Sequence, residues 1–459
     1  MRIDQLGCHF IMLGEKQERL GKAPLGKLLA DFALPAVIAM TAVSLYNVVD
    51  SVFIGRQLGT LGLAGLTVTF PLMNLSGAFG AMVGVGAGSL IAVKIGQRDV
   101  ETAEHTLGNV VLLNVVIGTL FAIASLIWLD PILRFFGASD SSLPYAREYM
   151  VVLLCGNVLT HLYLGLNDVV RSSGYPGRAM AATLTAVLVN VLFDYVFIVL
   201  FEWGIRGAAF ATLLAQFVAL CVVLRHLCSR DAFIRFKRGI FGWRPRIIKA
   251  IIGVGLSPFC TNSCACLVVL LVNNSLLDYG GDTYIGAFGI VNRVSFIFVM
   301  VAQGICQGMQ PIAGFNYGAG LIGRTLRVYK YAIVGGMSVM SLGFLLAELC
   351  PTAVARLFTS DSELIVVTAH ALRIALAAFA IVGFQIVTSG FMMALRKAPQ
   401  AIVMSVSRQL LCLAPLIVVL PRFFGVDGVW YAMPLSDLFA TLVAAALSFR
   451  QVGRLRQMV

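Results

Sequence analysis

Long apolar stretches alternate with short polar ones from residue 28 to residue 449. Twelve of these stretches are long enough to cross a ~30 Å hydrocarbon layer as α-helices. They fall near 28–54, 66–93, 106–129, 149–170, 178–201 and 206–226, and then near 249–277, 284–312, 331–350, 366–392, 401–420 and 428–449. The two sets of six follow one register. Leu63-Ala64-Gly65-Leu66 after the first span answers Ile285-Gly286-Ala287-Phe288 after the seventh, Gly86 falls on Gly308, and Gly96 falls on Gly318. Near the end of each set, Gly204-Ile205-Arg206-Gly207 answers Gly425-Val426-Asp427-Gly428. Two halves in the same order imply a parallel repeat about an axis along the membrane normal. The expected fold is an all-α membrane protein, with twelve transmembrane helices in two six-helix bundles related by a parallel pseudo-two-fold repeat. The expected organisation is a cytoplasmic N-terminal segment (1–27), an N-terminal six-helix lobe (28–226), a basic cytoplasmic linker (227–248), a C-terminal six-helix lobe (249–450) and a cytoplasmic tail (451–459).

Composition agrees with this pattern. The chain is 59% hydrophobic and 12% charged, which leaves too little polar surface to cover a water-soluble body. No small-residue cleavage site follows the first apolar run, so a cleavable signal peptide is not expected. The stretch from Met1 to Ile11 reads as an upstream extension, with Met12 as an alternative start. Most of the ten cysteines sit inside apolar spans, where a free thiol acts as a small hydrophobe. Cys264-Ala265-Cys266 has the wrong spacing for a zinc site. No resident metal or cofactor is expected.

The net charge of +12 is concentrated where topology needs it. Arg225, Arg230, Arg235, Lys237, Arg238, Arg244, Arg246 and Lys249 face a single acid, Asp231, in the central loop. That is a cytoplasmic loop by the positive-inside rule, in contact with membrane lipids, and not a nucleic-acid surface. Lys94/Arg98, Arg171/Arg178, Arg324/Arg327/Lys330 and Arg396/Lys397 mark the alternate loops, and both termini are basic. Both termini are therefore expected in the cytoplasm of a multi-pass protein of the cell membrane.

Two carboxylates break the apolar spans. Asp50 lies in the run 28–54 and Asp194 in the run 180–201. A charge at a bilayer centre costs about 2.5–3.5 kcal/mol on insertion scales, and acids kept there usually mark an ion or substrate path. Tyr46 and Asn47 share a helix face with Asp50, and Asn190 lies one turn before Asp194. Oxygen ligands of this kind suit a hard cation. They equally suit a shared proton, because two like charges in a low dielectric do not readily ionise together. Taken singly, an Asn or Thr in a span is as readily a helix–helix hydrogen bond. His161 reads as a core histidine or a proton relay. Gly80, Gly84 and Gly88 read as a close-packing stripe. Asp437 has Arg408 or Arg293 as an available partner, with a role in substrate or cation passage as the alternative.

The order of these motifs resembles the multidrug and toxic compound extrusion (MATE) family. The resemblance rests on Pro35, Tyr46-Asn47-Val48-Val49-Asp50-Ser51-Val52-Phe53-Ile54-Gly55, Leu58-Gly59, Pro71, Arg171-Ser172-Ser173-Gly174-Tyr175-Pro176, Gly289-Ile290-Val291-Asn292-Arg293 and Gly308-Met309-Gln310-Pro311. It implies an exporter of organic cations and other amphipathic compounds, driven by inward H⁺ or Na⁺, and not an enzyme. It implies a cation-coupling site at Asp50, Asn167, Asn190, Asp194 and Thr212, with any Na⁺ held at Asp50, Asn190 and Asp194. Tyr46, Asn47, Phe70, Phe288, Gln307 and Asp437 are candidate substrate-cavity residues. The expected partners are small amphipathic or cationic molecules and membrane lipids, with no nucleic acid, and the chain is expected to act as a monomer. One branch of the family carries an acid in the seventh span. Here Leu256–Leu276 has none, so the chain resembles the bacterial drug-efflux branch. The rival reading is a flippase for lipid-linked sugars of the same wider superfamily, which would need several interior cations.

Overall fold

The computed structural model describes residues 19–458; the side chains of Asn47, of some neighbours between 48 and 63, and of Asp282 lie outside the described set. So do residues 1–18, with the alternative start at Met12. The described residues form helices joined by short turns, and no strand occurs among them.

Among the described residues, ten helical stretches are each long and apolar enough to cross a membrane. Two further pairs, Leu143–Cys155 with Asn157–Ser172 and Ser362–Ala375 with Phe379–Ala394, pass the same test as bent units, at 57° and 54°. Counting each bent pair as one span gives twelve. Sequence periodicity does not reveal these bends. In the fourth span the break falls at Gly156, where the Leu213 side chain of the sixth span fills the space a Cβ would need. In the tenth it falls at Leu376–Ala378.

Helical hydrogen bonding also runs without a break through the link between the first two spans, from Leu25 to Gly96, over 72 residues. A straight helix of that length would measure about 108 Å, more than three times the apolar layer. The chain therefore changes direction between its two membrane-crossing stretches, Leu25–Tyr46 and Ala64–Gly96.

The chain divides into two compact units. One contains 38–259 and the other contains Pro24–Val37 with Cys260–Val459. Each unit thus includes the opening turns of a span whose remainder belongs to the other. The packing inside each unit shows why. Lipid tails are as apolar as leucine, so membrane helices associate through close van der Waals contact, which small residues permit. In the first unit, Gly86 of the second span lies against the backbone of Ile251, and Gly255 lies against the backbone of Met82. In the second unit, Gly308 and Gly304 of the eighth span lie against the backbone of Ala33 and Val37. Gly86 and Gly308 are the positions that the sequence repeat aligns, so the same contact is made once in each unit. Gly80, Gly84 and Gly88 likewise meet Leu164, Asp168 and Ser172 of the fourth span, as the stripe predicts.

Each unit has its own apolar core. In the first, Ile54, Leu72, Leu133, Tyr149, Leu154, Ile198 and Ile205 pack together. In the second, Val272, Phe288, Met340, Leu372, Phe379, Ile417 and Trp430 do so. The central linker is docked on the first unit: Lys237 pairs with Glu104 at 2.5 Å, Arg244 meets His105 at 2.6 Å, and Tyr175 donates to the Asp231 carbonyl at 2.8 Å. Each glycine crossing leaves no room for a side chain. Gly86→Leu and Gly308→Leu should each lower stability by about 1–3 kcal/mol through overpacking. Gly253→Ala, in open space on the same span as Gly255, should be neutral. Thermal unfolding in detergent checks all three.

Candidate functional site

The first unit gathers its polar groups from four spans. Asp194 ends the α-helical part of the fifth span, and the next six residues, Tyr195–Leu200, wind as a π-helix. Such wide turns are rare and often mark functional positions. Asp194 is fully buried, and Asn190 one turn earlier is 2% exposed. The Asn190 amide donates to the Thr212 hydroxyl of the sixth span at 3.3 Å. Asp50 arrives from the first helix, is 6% exposed, and lies within electrostatic reach of Asp194. Asp50, Asn190, Asp194 and Thr212 thus form one cluster.

Asn167 stands beside it rather than in it. Its amide donates to Thr183 Oγ1 at 3.2 Å, and the Tyr163 hydroxyl donates to the same oxygen at 3.3 Å. Tyr46, half-buried, lies within reach of Asp50, Asp194 and Tyr163, and so connects the two groups. Tyr149 was not anticipated. It comes from the fourth span, is fully buried, lies beside Thr212, and has Asp50, Tyr46 and Asp194 as its charged and phenolic neighbours. Nothing in its local sequence marks it, because its partners come from three other helices. Thr183 and Tyr163 were missed for the same reason. Asp168 was also missed, although it follows Asn167; it pairs with Arg171 at 2.5 Å.

What the cluster lacks decides its chemistry. Both oxygens of Asp194, Oδ1 of Asp50, Oδ1 of Asn190 and Oδ1 of Asn167 are buried without a hydrogen-bond partner among the described residues. All five are acceptors, and two of the four side chains are carboxylates. Burying an ionised carboxylate without a partner costs several kcal/mol. A proton on a carboxylate, or a hard cation among the oxygens, removes that cost. The oxygens present therefore fit either a proton or a hard cation.

The remaining candidates separate. The Asn47 side chain lies outside the described residues. Phe70 is exposed, Gln307 is half-buried, and Phe288 is packed in the core of the second unit. Phe288 thus supports that core rather than standing on an open wall. Asp437 is buried and accepts from Arg408 Nε at 2.6 Å, which selects Arg408 over Arg293 as its partner. His161 is fully buried; its Nε2 lies 3.2 Å from Ser76 Oγ, Ser76 donates to Asn157 at 2.5 Å, and Asn157 donates to the Gly118 carbonyl at 3.0 Å. That network joins three spans.

The family model for MatE matches the chain twice, over residues 35–196 and 258–419. The chain belongs to the MATE family. The two matches begin at Pro35 and Pro258, so the repeat read from the glycines is a repeat of the family unit itself. The multidrug export protein MepA of Staphylococcus aureus (strain NCTC 8325 / PS 47) is 22% identical over 441 residues, covering 95% of this chain and 96% of MepA. MepA of Staphylococcus haemolyticus (strain JCSC1435) is 21% identical, covering 94% of each chain. Among solved structures, the MATE multidrug transporter DinF-BH is 34% identical with a TM-score of 0.87, covering 94% of this chain and 97% of that one. An outward-facing MATE transporter of the MOP superfamily shares the fold at a TM-score of 0.89 and 24% identity, covering 96% and 98%. The chain is accordingly a multi-pass membrane transporter of small molecules and not an enzyme.

Thr212 holds Asn190 and stands beside Tyr149 without carrying charge. Thr212→Val should leave the MATE fold intact and weaken ion coupling about tenfold, the worth of one hydrogen bond to a charged site. The H⁺ or Na⁺ concentration giving half-maximal efflux from proteoliposomes measures it.

Proposed function

We propose that this MATE protein is a secondary active multidrug exporter. Asp50 and Asp194 take up an inward-moving H⁺ or Na⁺ and release an outward-moving organic cation or other amphipathic compound. The observation that carries this reading is the set of buried acceptor oxygens on Asp50, Asn190 and Asp194 with no donor of their own. A site built this way has negative charge to be neutralised, and the described residues around it supply no positive charge to do it.

Neutralisation changes the balance between conformers because the two states solvate these groups differently. A state that closes around the carboxylates is disfavoured while they are charged and favoured once the ion has bound. The same acids attract a cationic drug, so drug and ion exchange for one another. Tyr46 and Tyr149 shape the cluster with phenols, which pack against apolar surface and still offer a hydroxyl. The names carried by the relatives, multidrug export protein and multidrug transporter, support the substrate class. No phosphate-binding loop with the Ser or Thr needed for Mg²⁺ occurs in the chain, and an ion gradient is the energy source this reading uses. The basic loops support a cytoplasmic location for both termini and the linker. A sugar-lipid flippase is the weaker reading: Arg293 is exposed and Arg408 is already engaged by Asp437.

Purified protein in proteoliposomes loaded with ethidium tests the proposal. Efflux should follow an imposed pH or Na⁺ gradient, and the gradient that drives it names the ion. Asp50→Asn should fold normally and lose gradient-driven efflux by at least tenfold. Undiminished efflux by that variant would remove Asp50 from the coupling step. Transport of a lipid-linked sugar and not ethidium would replace the exporter reading with the flippase.

A further inference from the structure

Each unit holds a buried acid near a fifth span that is partly π-helical, at different levels of the repeat. In each, the fifth span leaves the α-helical register and winds as a π-helix, at Tyr195–Leu200 and at Ser407–Leu413. In each, the sixth span presents a polar side chain to the fifth: Thr212 to Asn190 in the first unit, and Asp437 to Arg408 in the second. Aligning Gly204 and Gly207 with Gly425 and Gly428 sets Asp437 level with Gln216, one turn beyond Thr212. Gln216 is neutral and is satisfied by the Thr160 hydroxyl. Asp50 and Asp194 thus have no cation beside them among the described residues, while Asp437, like Asp168 with Arg171 in the first unit, has one supplied by the chain.

The geometry points to Asp437 as a second cation-recognition group, occupied at rest by Arg408, which an organic cation with delocalised charge displaces. This deepens the exporter reading above and rests on it, since it names the chemistry of a substrate group. Two observations and one general rule carry it. The Asp437 side chain is 5% exposed and that of Arg408 32%, so the acid is buried while its partner is only partly so. Arg408 belongs to a π-turn, and the next residue on that turn, Gln409, keeps a buried Oε1 without a partner among the described residues. An acid inside a span with its own partner is a functional position by default.

The class of ligand follows from the occupant. A guanidinium is planar, weakly hydrated and spreads its charge. A competitor must shed its water as readily, which guanidines, amidines and aryl-ammonium dyes do. An alkali ion does not, and one carboxylate alone is not a coordination set for it. The two units thus divide the work: the coupling ion binds in the first, and an organic cation is recognised at Asp437 in the second.

Full-length protein in lipid nanodiscs, titrated with ethidium and with the uncharged dye Nile red, tests this. Asp437→Asn should weaken ethidium about tenfold and leave Nile red unchanged. Arg408→Gln removes the resident competitor and should tighten ethidium severalfold, and the double variant should match Asp437→Asn. If Arg408→Gln weakens ethidium as Asp437→Asn does in a folded protein, or if both dyes shift together, the pair is structural and the inference falls. A second measurement avoids charge loss altogether. Cys412 lies one turn from Arg408 and within reach of the Asp437 charge. In a chain whose other cysteines are replaced, ethidium should slow its labelling by N-ethylmaleimide; an unchanged rate at saturating dye overturns the inference. Neither result depends on a gradient. Loss of coupling is read separately from Asp50→Asn, so failure here and failure of the exporter reading can be told apart.

Discussion

A buried pair of carboxylates without a counter-charge is the constraint around which the first unit is arranged. Inside a bilayer-spanning bundle such a pair is a large cost, and most proteins would remove it with an arginine or an apolar substitution. Here the neighbours are Asn190, Thr212, Tyr46 and Tyr149, which offer oxygens and hydroxyls but no cation. On the exporter reading proposed above, that cost is left for a mobile ion to relieve. A protein that held its own cation at Asp194 would be more stable and would have nothing to couple. In the second unit the opposite choice is visible, because Arg408 meets Asp437 at 2.6 Å.

The scaffold is suited to holding such a cluster. Within each unit, glycines let one helix meet the backbone of another, at Gly86 with Ile251 and at Gly308 with Ala33. Close backbone contact fixes helix position without polar groups, which leaves the polar groups available for the ion. The π-turns after Asp194 and around Arg408 add the local departures from regular helix that a functional side chain often requires.

Much of this was legible in the chain because membrane spans are written in plain hydropathy. The span pattern, the repeat and the all-helical fold follow from apolar run length and from glycines in a fixed register. Asp50, Asn190 and Asp194 were legible because a charge in an apolar run is conspicuous and i,i+4 spacing identifies a shared face. Tyr149 and Tyr163 were not, since a tyrosine in a span is common and its role comes from contacts with other helices. The bends in the fourth and tenth spans were hidden for a related reason: Gly156 is one of 45 glycines, and only the Leu213 side chain packed against it gives it meaning. Phe288 was read as a possible wall because aromatic residues serve in cavities and in cores alike. The interior packing of the second unit makes it a core residue.

The central claim is that an incoming ion cancels the charge of Asp50 and Asp194 and that drug reverses this. Infrared difference spectroscopy on purified protein reads that event without transport. On adding a cationic drug to the ion-loaded protein, the account predicts a change in carboxyl absorption: loss of a protonated-acid band if the ion is H⁺, or a shifted carboxylate band if it is Na⁺. That change should be absent in Asp194→Asn. Identical difference spectra from the parent and from Asp194→Asn, with drug bound in both, would contradict the account.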